Sequence, residues 1–278
     1  MNRSLHQAFL AFAVLALIFA GTYALGQESV PREILITYRC HPADRPAFRN
    51  FLATQESHML DEQKAQGMLR SYQILFNPVV TETFDALLIL HLNGPAAVQH
   101  WLELERSSPG GLAPTGLRLA TPLMTYFADL QWQDQNPSPP GEKSVFYAIP
   151  YNYNSLDQYK SYVDAYVIPQ VQGWMREGIL SHYAIYLNRY NVGPPWDALF
   201  IYEYRDLKAF GEREQTIAKI RDTLRSNSTW QHWSDIKATV RTESENTILE
   251  EISPMHSAHA PTPHVGARSK QTPSPVQP

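Results

Sequence analysis

The sequence predicts an α+β fold made of two tandem βαββαβ units, because one stretch of residues is written twice within 278 positions. Residues 67–92 read GMLRSYQILFNPVVTETFDALLILHL, and residues 178–204 read GILSHYAIYLNRYNVGPPWDALFIYEY. An offset of 111 relates residues 34–77 to residues 145–188 without gaps, and one extra loop residue raises it to 112 at the shared Asp-Ala-Leu. A repeat of about 110 residues has the size of a domain, so it indicates an internal duplication.

Each copy begins with an apolar, β-branched or aromatic run that is typical of a strand, residues 34–40 in the first copy and residues 144–151 in the second. A long helical pattern follows each run and ends at Gly67 or Gly178, where glycine favours the left-handed turn after a helix. Pro169 predicts a kink or a break in the second of these helices.

A β-hairpin, a second helix and a closing strand complete each copy. The second helices are predicted at 93–108 and 205–227, and the closing strands at 123–132 and 246–252. The order β-α-β-β-α-β is that of the ferredoxin-like unit. Because both helices cover one face of the sheet, the other face stays bare unless the second copy covers it. We therefore expect two ferredoxin-like units packed sheet to sheet as an intramolecular α/β barrel.

This order and length resemble the dimeric α/β-barrel superfamily, which includes NIPSNAP-like proteins, antibiotic-biosynthesis monooxygenase-like proteins, chlorite dismutases and Dyp-type peroxidases. The resemblance covers roughly residues 30–252 and implies a pseudo-dimer within one chain. It is one of topology and pattern, and no signature residue is matched, so no activity follows from it. The Pro-rich segment at 133–143 predicts a linker between a unit at 30–132 and a unit at 144–252.

The two ends of the chain differ in composition from this core. An uncharged apolar run at 8–21 follows Arg3, and small residues precede Gln27, which predicts a signal peptide at 1–26 and export to the periplasm or the medium. The alternative is an uncleaved anchor, but the run is shorter than the roughly 20 residues of a membrane span, so no stable span is expected after cleavage. Residues 253–278 are rich in Pro, Ser, Ala and His and are predicted to be disordered.

Charge and cysteine content restrict the partners. The formal net charge of −4 becomes −5 when residues 1–26 and their Arg3 are removed, and no basic run remains, so nucleic acid is not an expected partner. Cys40 is the single cysteine, which excludes an intramolecular disulfide, and its apolar neighbours predict a buried thiol.

The sequence predicts no cofactor, since the HExxH, CxxC, GxSxG, GxGxxG and P-loop motifs do not occur. Haem, which some members of the superfamily bind, would need an axial histidine, and the predicted helices offer His58 and His100. Three histidines of the tail, His256, His259 and His264, would make only a weak and unselective metal site.

Strand alternation predicts which side chains point into the space between the sheets. The uniformly large members of the second strands are expected to face the helices: Met68, Tyr72, Ile74 and Phe76, and Ile179, Tyr183, Ile185 and Leu187. The opposite face is more mixed, with Leu69, Ser71, Gln73 and Leu75, and Leu180, His182, Ala184 and Tyr186. We expect an inter-sheet ligand site lined by Arg39, His91, His182, Tyr186 and Glu203.

Within this set, His182, Glu203 and Tyr186 are the candidate catalytic residues, because an imidazole with a carboxylate partner and a phenol suit proton transfer. The alternative is that these groups are exposed strand ends or satisfied polar side chains. A one-residue error in strand phase would reverse every assignment.

Three functions stay open from the sequence. The first is an exported binder of a small apolar or aromatic molecule held between the sheets. The second is a cofactor-independent monooxygenase or isomerase that uses the same cavity. The third is a structural or interaction module whose inter-sheet space is filled by its own side chains.

Overall fold

The computed structural model describes residues 32–137, 143–190 and 196–252. The predicted signal peptide at 1–26 and the predicted tail at 253–278 lie outside the described residues. Among the helices of the described ranges, none has the length and apolar content needed to cross a membrane.

The first half of the described chain has the predicted strand–helix–hairpin–helix–strand order, with one further short helix before its last strand. Its elements are β1 Glu33–Cys40, α1 Arg45–Phe51, a π-helical turn Leu52–Glu56, α2 Ser57–Ala65, β2 Leu69–Phe76, β3 Ala86–Leu92, α3 Pro95–Ser107, α4 Pro114–Leu119 and β4 Ala120–Gln135.

The second half repeats this order, with an additional helix and a short strand near its end. Its elements are β5 Val145–Tyr153, α5 Leu156–Tyr162, a π-helical turn Val163–Val167, α6 Ile168–Arg176, β6 Leu180–Asn188, β7 Ala198–Tyr204, α7 Leu207–Gly211, α8 Arg213–Leu224, α9 Ser228–Val240, β8 Arg241–Glu243 and β9 Thr247–Glu251.

The long helix of each half is interrupted by the π-helical turn at the same aligned position. Pro169 is the second residue of α6, which begins directly after the second π-helical turn, so a break lies where the sequence predicts a kink or a break. In the first half His58 stands at the aligned position, 111 residues earlier, and the π-helical turn forms there as well. The interruption therefore belongs to the repeated fold, and proline is not its cause in the first copy.

The nine strands of the described ranges form one antiparallel sheet in the order β7-β6-β4-β1-β3-β2-β9-β5-β8. Strand β7 also pairs with β5, so the pairings run in a ring through eight strands, and β8 lies outside the ring. The closing strands join the two halves, since β4 pairs with β6 and β9 pairs with β2. Because the end of β4 pairs with β6, the strand continues to Gln135, three residues into the predicted linker at 133–143.

The gapless offset of 111 is wrong for the first strand. Tyr38 lies opposite Ala86 in the first half, and Tyr151 lies opposite Ala198 in the second. Since Ala198 follows Ala86 by 112, Tyr151 corresponds to Tyr38 with an offset of 113. The two additional residues of the first half fall in the short 3₁₀ turn Pro42–Asp44. A shift of two residues keeps each side chain on the same face of its strand, so the predicted faces are unaffected.

The strand faces agree with the sequence pattern, apart from two leucines. The residues predicted to face the helices belong to the helix-side cores of the two halves. A third cluster, here called the inter-sheet cluster, occupies the opposite face and includes Leu75, Leu87, Ala184, Tyr186 and Leu199. Leu69 and Leu180 join the helix-side cores instead, because the pairing register shifts directly after each of them.

The aspartate of the repeated Asp-Ala-Leu has a structural role in both halves. The Asp85 carboxylate accepts the backbone N–H of Cys40 at 2.8 Å, and Asp197 accepts that of Tyr153 at 3.0 Å. Each aspartate therefore fixes the end of the first strand against the third. Cys40 is buried, as the sequence predicts.

Candidate functional site

Side chains of the inter-sheet cluster pack closely on the sheet face opposite the helices. In the inter-sheet cluster, Leu35, Leu75, Leu87 and Ile89 have no exposed surface, and the rings of Tyr126 and Trp196 lie 4.2 Å apart. The predicted ligand space is therefore restricted to positions beyond this packed part of the cluster.

A carboxylate–imidazole pair lies where β1 begins and β3 ends. Glu33 is opposite His91 in the sheet, and Nδ1 of His91 lies 2.5 Å from Oε2 of Glu33. The Arg70 guanidinium donates to Oε1 of Glu33 at 3.0 Å. The side chain of Glu33 is 3% exposed, that of His91 is 18% exposed and that of Arg70 is 45% exposed. The pair therefore spans the boundary between the interior and the solvent.

The sequence pattern predicts a first strand that begins at Ile34, so it points to His91 but not to Glu33, which is the first residue of β1 in the structure. Glu33, Leu35 and Thr37 are two positions apart and therefore lie on one face of β1. Extending the predicted strand by one residue would have placed Glu33 on this face.

This pair can move a proton. When the proton of the neutral imidazole is on Nδ1, the Nε2 atom keeps its lone pair and can accept a proton from a bound molecule. The carboxylate then stabilises the imidazolium that forms. Glu33 is a suitable partner, because Arg70 also holds it in place.

Tyr186 is the phenol of the predicted site, and it is 3% exposed on β6. Burial, and to a lesser extent the nearby charge of Glu33, raise its pKa well above the usual value for tyrosine. The phenol therefore stays protonated and can donate a hydrogen bond.

His182 and Glu203, the other predicted pair, are also neighbours in the structure. The two residues lie directly opposite each other in β6 and β7. Oγ of Ser144 donates to Oε1 of Glu203 at 2.7 Å. Burial raises the pKa of Glu203, the Ser144 hydroxyl lowers it, and the charge of Glu251 adds to the increase.

Arg39 is exposed and donates to the backbone carbonyl of Thr83. The structure thus does not bring the five predicted site residues together in one set of contacts. His91 contacts Glu33, His182 lies opposite Glu203, Tyr186 is buried on β6, and Arg39 on β1 donates to the loop after β2. That any of these residues binds a ligand stays a prediction.

An open groove with a volume of about 530 Å³ lies next to the His182 group. It is lined by the end of β4 and by one side of α6, and Gln135 in its wall lies opposite His182 in the sheet. The other lining residues are Asp134, Asn136, Pro137, Gln172, Met175 and Arg176. The groove is mainly polar, so it suits a hydrated molecule better than an apolar one.

The described residues do not fit a haem held by His58. The His58 side chain is 76% exposed and lies 3.6 Å from Glu62 on the surface of α2, whereas an axial ligand must point into a closed apolar pocket. His100 is half-buried on α3. Within the described ranges, no three His, Cys, Asp or Glu side chains are grouped so that they could hold a metal ion.

No protein-family model matches the sequence, and no curated protein matches it either. Among solved structures, a candidate monooxygenase from Lactobacillus acidophilus NCFM is similar with a TM-score of 0.50 and 14% identity, over 80% of this chain and 94% of that chain. An anthrone oxidase-like protein has a TM-score of 0.49 and 8% identity, over 79% and 90% of the two chains.

A variant chlorite dismutase from Candidatus Nitrospira defluvii has a TM-score of 0.48 and 12% identity, over 80% of this chain and 90% of that chain. At 14% identity, the similarity to the candidate monooxygenase from Lactobacillus acidophilus NCFM shows the fold alone. The chain is an α+β protein with a large antiparallel sheet, similar in fold to that candidate monooxygenase.

Proposed function

We propose that this chain is an exported protein that binds a small, largely apolar molecule carrying a phenol or enol hydroxyl, at the His91 end of its inter-sheet space. The observation that carries the proposal is the contact between the imidazole of His91 and the buried carboxylate of Glu33.

The proposal includes the architecture that the sequence predicts, two fused ferredoxin-like units closed into an intramolecular barrel. The ring of strand pairings through β7 and β5 supports it, and so does the exchange of closing strands, in which β4 pairs with β6 and β9 with β2. In such a barrel each unit hides the apolar sheet face of the other.

The inter-sheet cluster, His91, Tyr186 and Arg70 would each contact a different part of such a ligand. The inter-sheet cluster contacts the apolar body, where each buried square ångström contributes about 25 cal/mol. Nε2 of His91 accepts a hydrogen bond or a proton from the ligand hydroxyl, and the Tyr186 phenol donates to a second oxygen. Arg70 lies at the exposed side and adds positive charge for a ligand that becomes an anion.

The second candidate function is a cofactor-independent monooxygenase or isomerase at the same position. It is favoured by the same contact, since an imidazole beside a carboxylate is a suitable base for removing a proton from a carbon beside a carbonyl group. A third candidate, an interaction module with a filled interior, is favoured by the complete burial of Leu35, Leu75, Leu87 and Ile89.

Fluorescence titration with 2-naphthol, and with naphthalene as the apolar probe without a hydroxyl, tests the proposal. We expect the wild-type protein to bind 2-naphthol about 10-fold more tightly than naphthalene, as one hydrogen bond predicts. His91→Ala should remove this preference, and His182→Ala should keep it. Equal binding of both probes to the wild type, or no binding of either, would exclude the proposal and favour the filled module.

Native mass spectrometry of protein taken from its own periplasm or medium supplies an independent result, because a retained molecule identifies the ligand by its mass. The same preparation tests export: the N-terminal residue should be Gln27 if residues 1–26 are removed, and Met1 if they are not.

A further inference from the structure

A second set of buried polar groups lies on the helix side of the sheet in the first half of the chain, in a region that the proposed function does not use. Glu56 ends the first π-helical turn and is 2% exposed, and Trp101 on α3 is 1% exposed. Oε1 of Glu56, Nε1 of Trp101 and Oε2 of Glu105 are buried, and among the described residues none of these three atoms has a hydrogen-bond partner.

The three side chains surround the turn at Gly110 and Gly111. A Cβ atom added to Gly111 would lie 2.7 Å from the Trp101 ring and 3.8 Å from Oε1 of Glu56. The other carboxylate oxygen of Glu105 accepts the backbone N–H of Gly110 at 2.9 Å. The turn therefore brings the unpartnered atoms of both carboxyl groups and of the indole toward one small region.

The duplication supplies an internal comparison at Glu56. Glu56 and Val167 are the last residues of the two π-helical turns, 111 positions apart, and both are buried. The second copy forms the same turn with an apolar side chain, so the fold does not require a carboxyl group there. A buried carboxyl without hydrogen bonds is unfavourable, which indicates that the carboxyl of Glu56 has a partner of its own.

We propose that Glu56, Trp101 and Glu105 bind one internal water molecule against the Gly110–Gly111 turn. The chemistry of the three atoms selects water: the indole N–H needs an acceptor, and the two carboxyl oxygens need donors. One water molecule supplies one acceptor and two donors, the three bonds typical of internal water. A cation would face the indole N–H with like charge.

The protonation of Glu56 agrees with this arrangement. Burial raises the pKa of Glu56 to about 8, so at neutral pH the carboxyl keeps its proton. A neutral carboxyl can accept a hydrogen bond from the water through one oxygen and donate through the other, and its burial does not leave an uncompensated charge.

Oxygen-17 magnetic relaxation dispersion counts long-lived internal water molecules and tests the proposal on the full chain. We expect Glu56→Val, which introduces the side chain that the second copy carries, to bind one long-lived water molecule fewer than the wild type. Glu103→Ala on the exposed side of α3 is the matched control and should leave the number unchanged. An equal number in the wild type and in Glu56→Val overturns the proposal.

A crystal structure of the wild-type protein gives an answer that does not depend on how the variant folds. We expect one ordered water within hydrogen-bond distance of Nε1 of Trp101, of Glu56 and of Glu105. A direct hydrogen bond from the Trp101 indole to either carboxyl group, with no water between them, would contradict the proposal.

Discussion

Nδ1 of His91 lies 2.5 Å from Oε2 of Glu33, at a position where the sheet joins the packed interior to the solvent. In the second half, the aligned residues are Phe146 and Glu203, which lie opposite each other in β5 and β7. The duplicated fold is therefore compatible with an apolar residue at the position of Glu33. In the second copy the carboxylate of this position, Glu203, lies opposite His182 on β6 instead. The proposed ligand is assigned to the first arrangement, because there the imidazole is in contact with a buried carboxylate.

His91→Leu should destabilise the protein, because it leaves the buried carboxylate of Glu33 with Arg70 as its one cation in the described ranges. Breaking a buried pair in this way costs roughly 3–5 kcal/mol, and the half-exposed Arg70 makes the lower end the expected value. The double variant Glu33→Leu/His91→Leu should recover most of this loss. Urea unfolding of the wild type, both single variants and the double variant measures the coupling. Additive effects would show that the two side chains do not interact.

The repeated aspartates predict unequal effects of one substitution. Asp85 is buried and forms an ion pair with the buried Arg45, in addition to accepting the Cys40 N–H. Asp85→Ala should therefore cost about 3–5 kcal/mol of unfolding free energy, because Arg45 is left as a buried charge. Asp197→Ala removes the bond from the Tyr153 N–H and should cost about 1–3 kcal/mol. Thermal unfolding of both variants checks the order, and a larger loss for Asp197→Ala would contradict it.

The buried carboxyl of Glu56 predicts a specific pH dependence of stability. Its pKa is raised from 4.5 to about 8 by burial, so between these values the folded protein holds a proton that the unfolded chain has released. The unfolding free energy of the wild type, relative to Glu56→Gln, should therefore fall as pH rises from about 4.5 to about 8 and stay level above that. Denaturant unfolding of both proteins across this range measures the difference. A constant difference would show that Glu56 titrates normally.

The sequence was sufficient for the order of elements and the faces of the strands, because both follow from local patterns. Tyr72 and Tyr183 were assigned to the helix side and pack there. The length of β4 could not be predicted, because its last residues are polar and are ordered by pairing with β6, a contact between distant parts of the chain. The offset of the first strand was missed for a related reason, since a change of two residues leaves the alternation intact.

The candidate site was predictable only in part. His91, His182 and Glu203 were chosen because they stand at the ends of alternating strands, and the structure gives His91 a buried carboxylate partner and places His182 opposite Glu203. Glu33 lies one residue before the predicted strand, and its burial depends on strands β3 and β4 on either side of it. Arg39 was grouped with the others by alternation alone, but it extends to the Thr83 carbonyl at the surface.

Two glycines on neighbouring turns of the chain should respond differently to substitution. Gly178 has a φ of 75° after α6, and the nearest atom to an added Cβ would be Arg205 Nη1 at 3.8 Å, so only its backbone conformation requires glycine. Gly173 lies inside α6, and an added Cβ would meet Ile220 at 2.5 Å, so packing requires it.

Gly178→Ala should cost about 1–2 kcal/mol, and Gly178→Asn should cost less because asparagine tolerates the left-handed region. Gly173→Ala should cost about 1–3 kcal/mol through overpacking, and Gly173→Asn should cost more than alanine because it is larger. Urea unfolding of the four variants separates the two causes. If asparagine is better than alanine at both positions, or worse at both, then the two glycines are required for the same reason and the distinction is wrong.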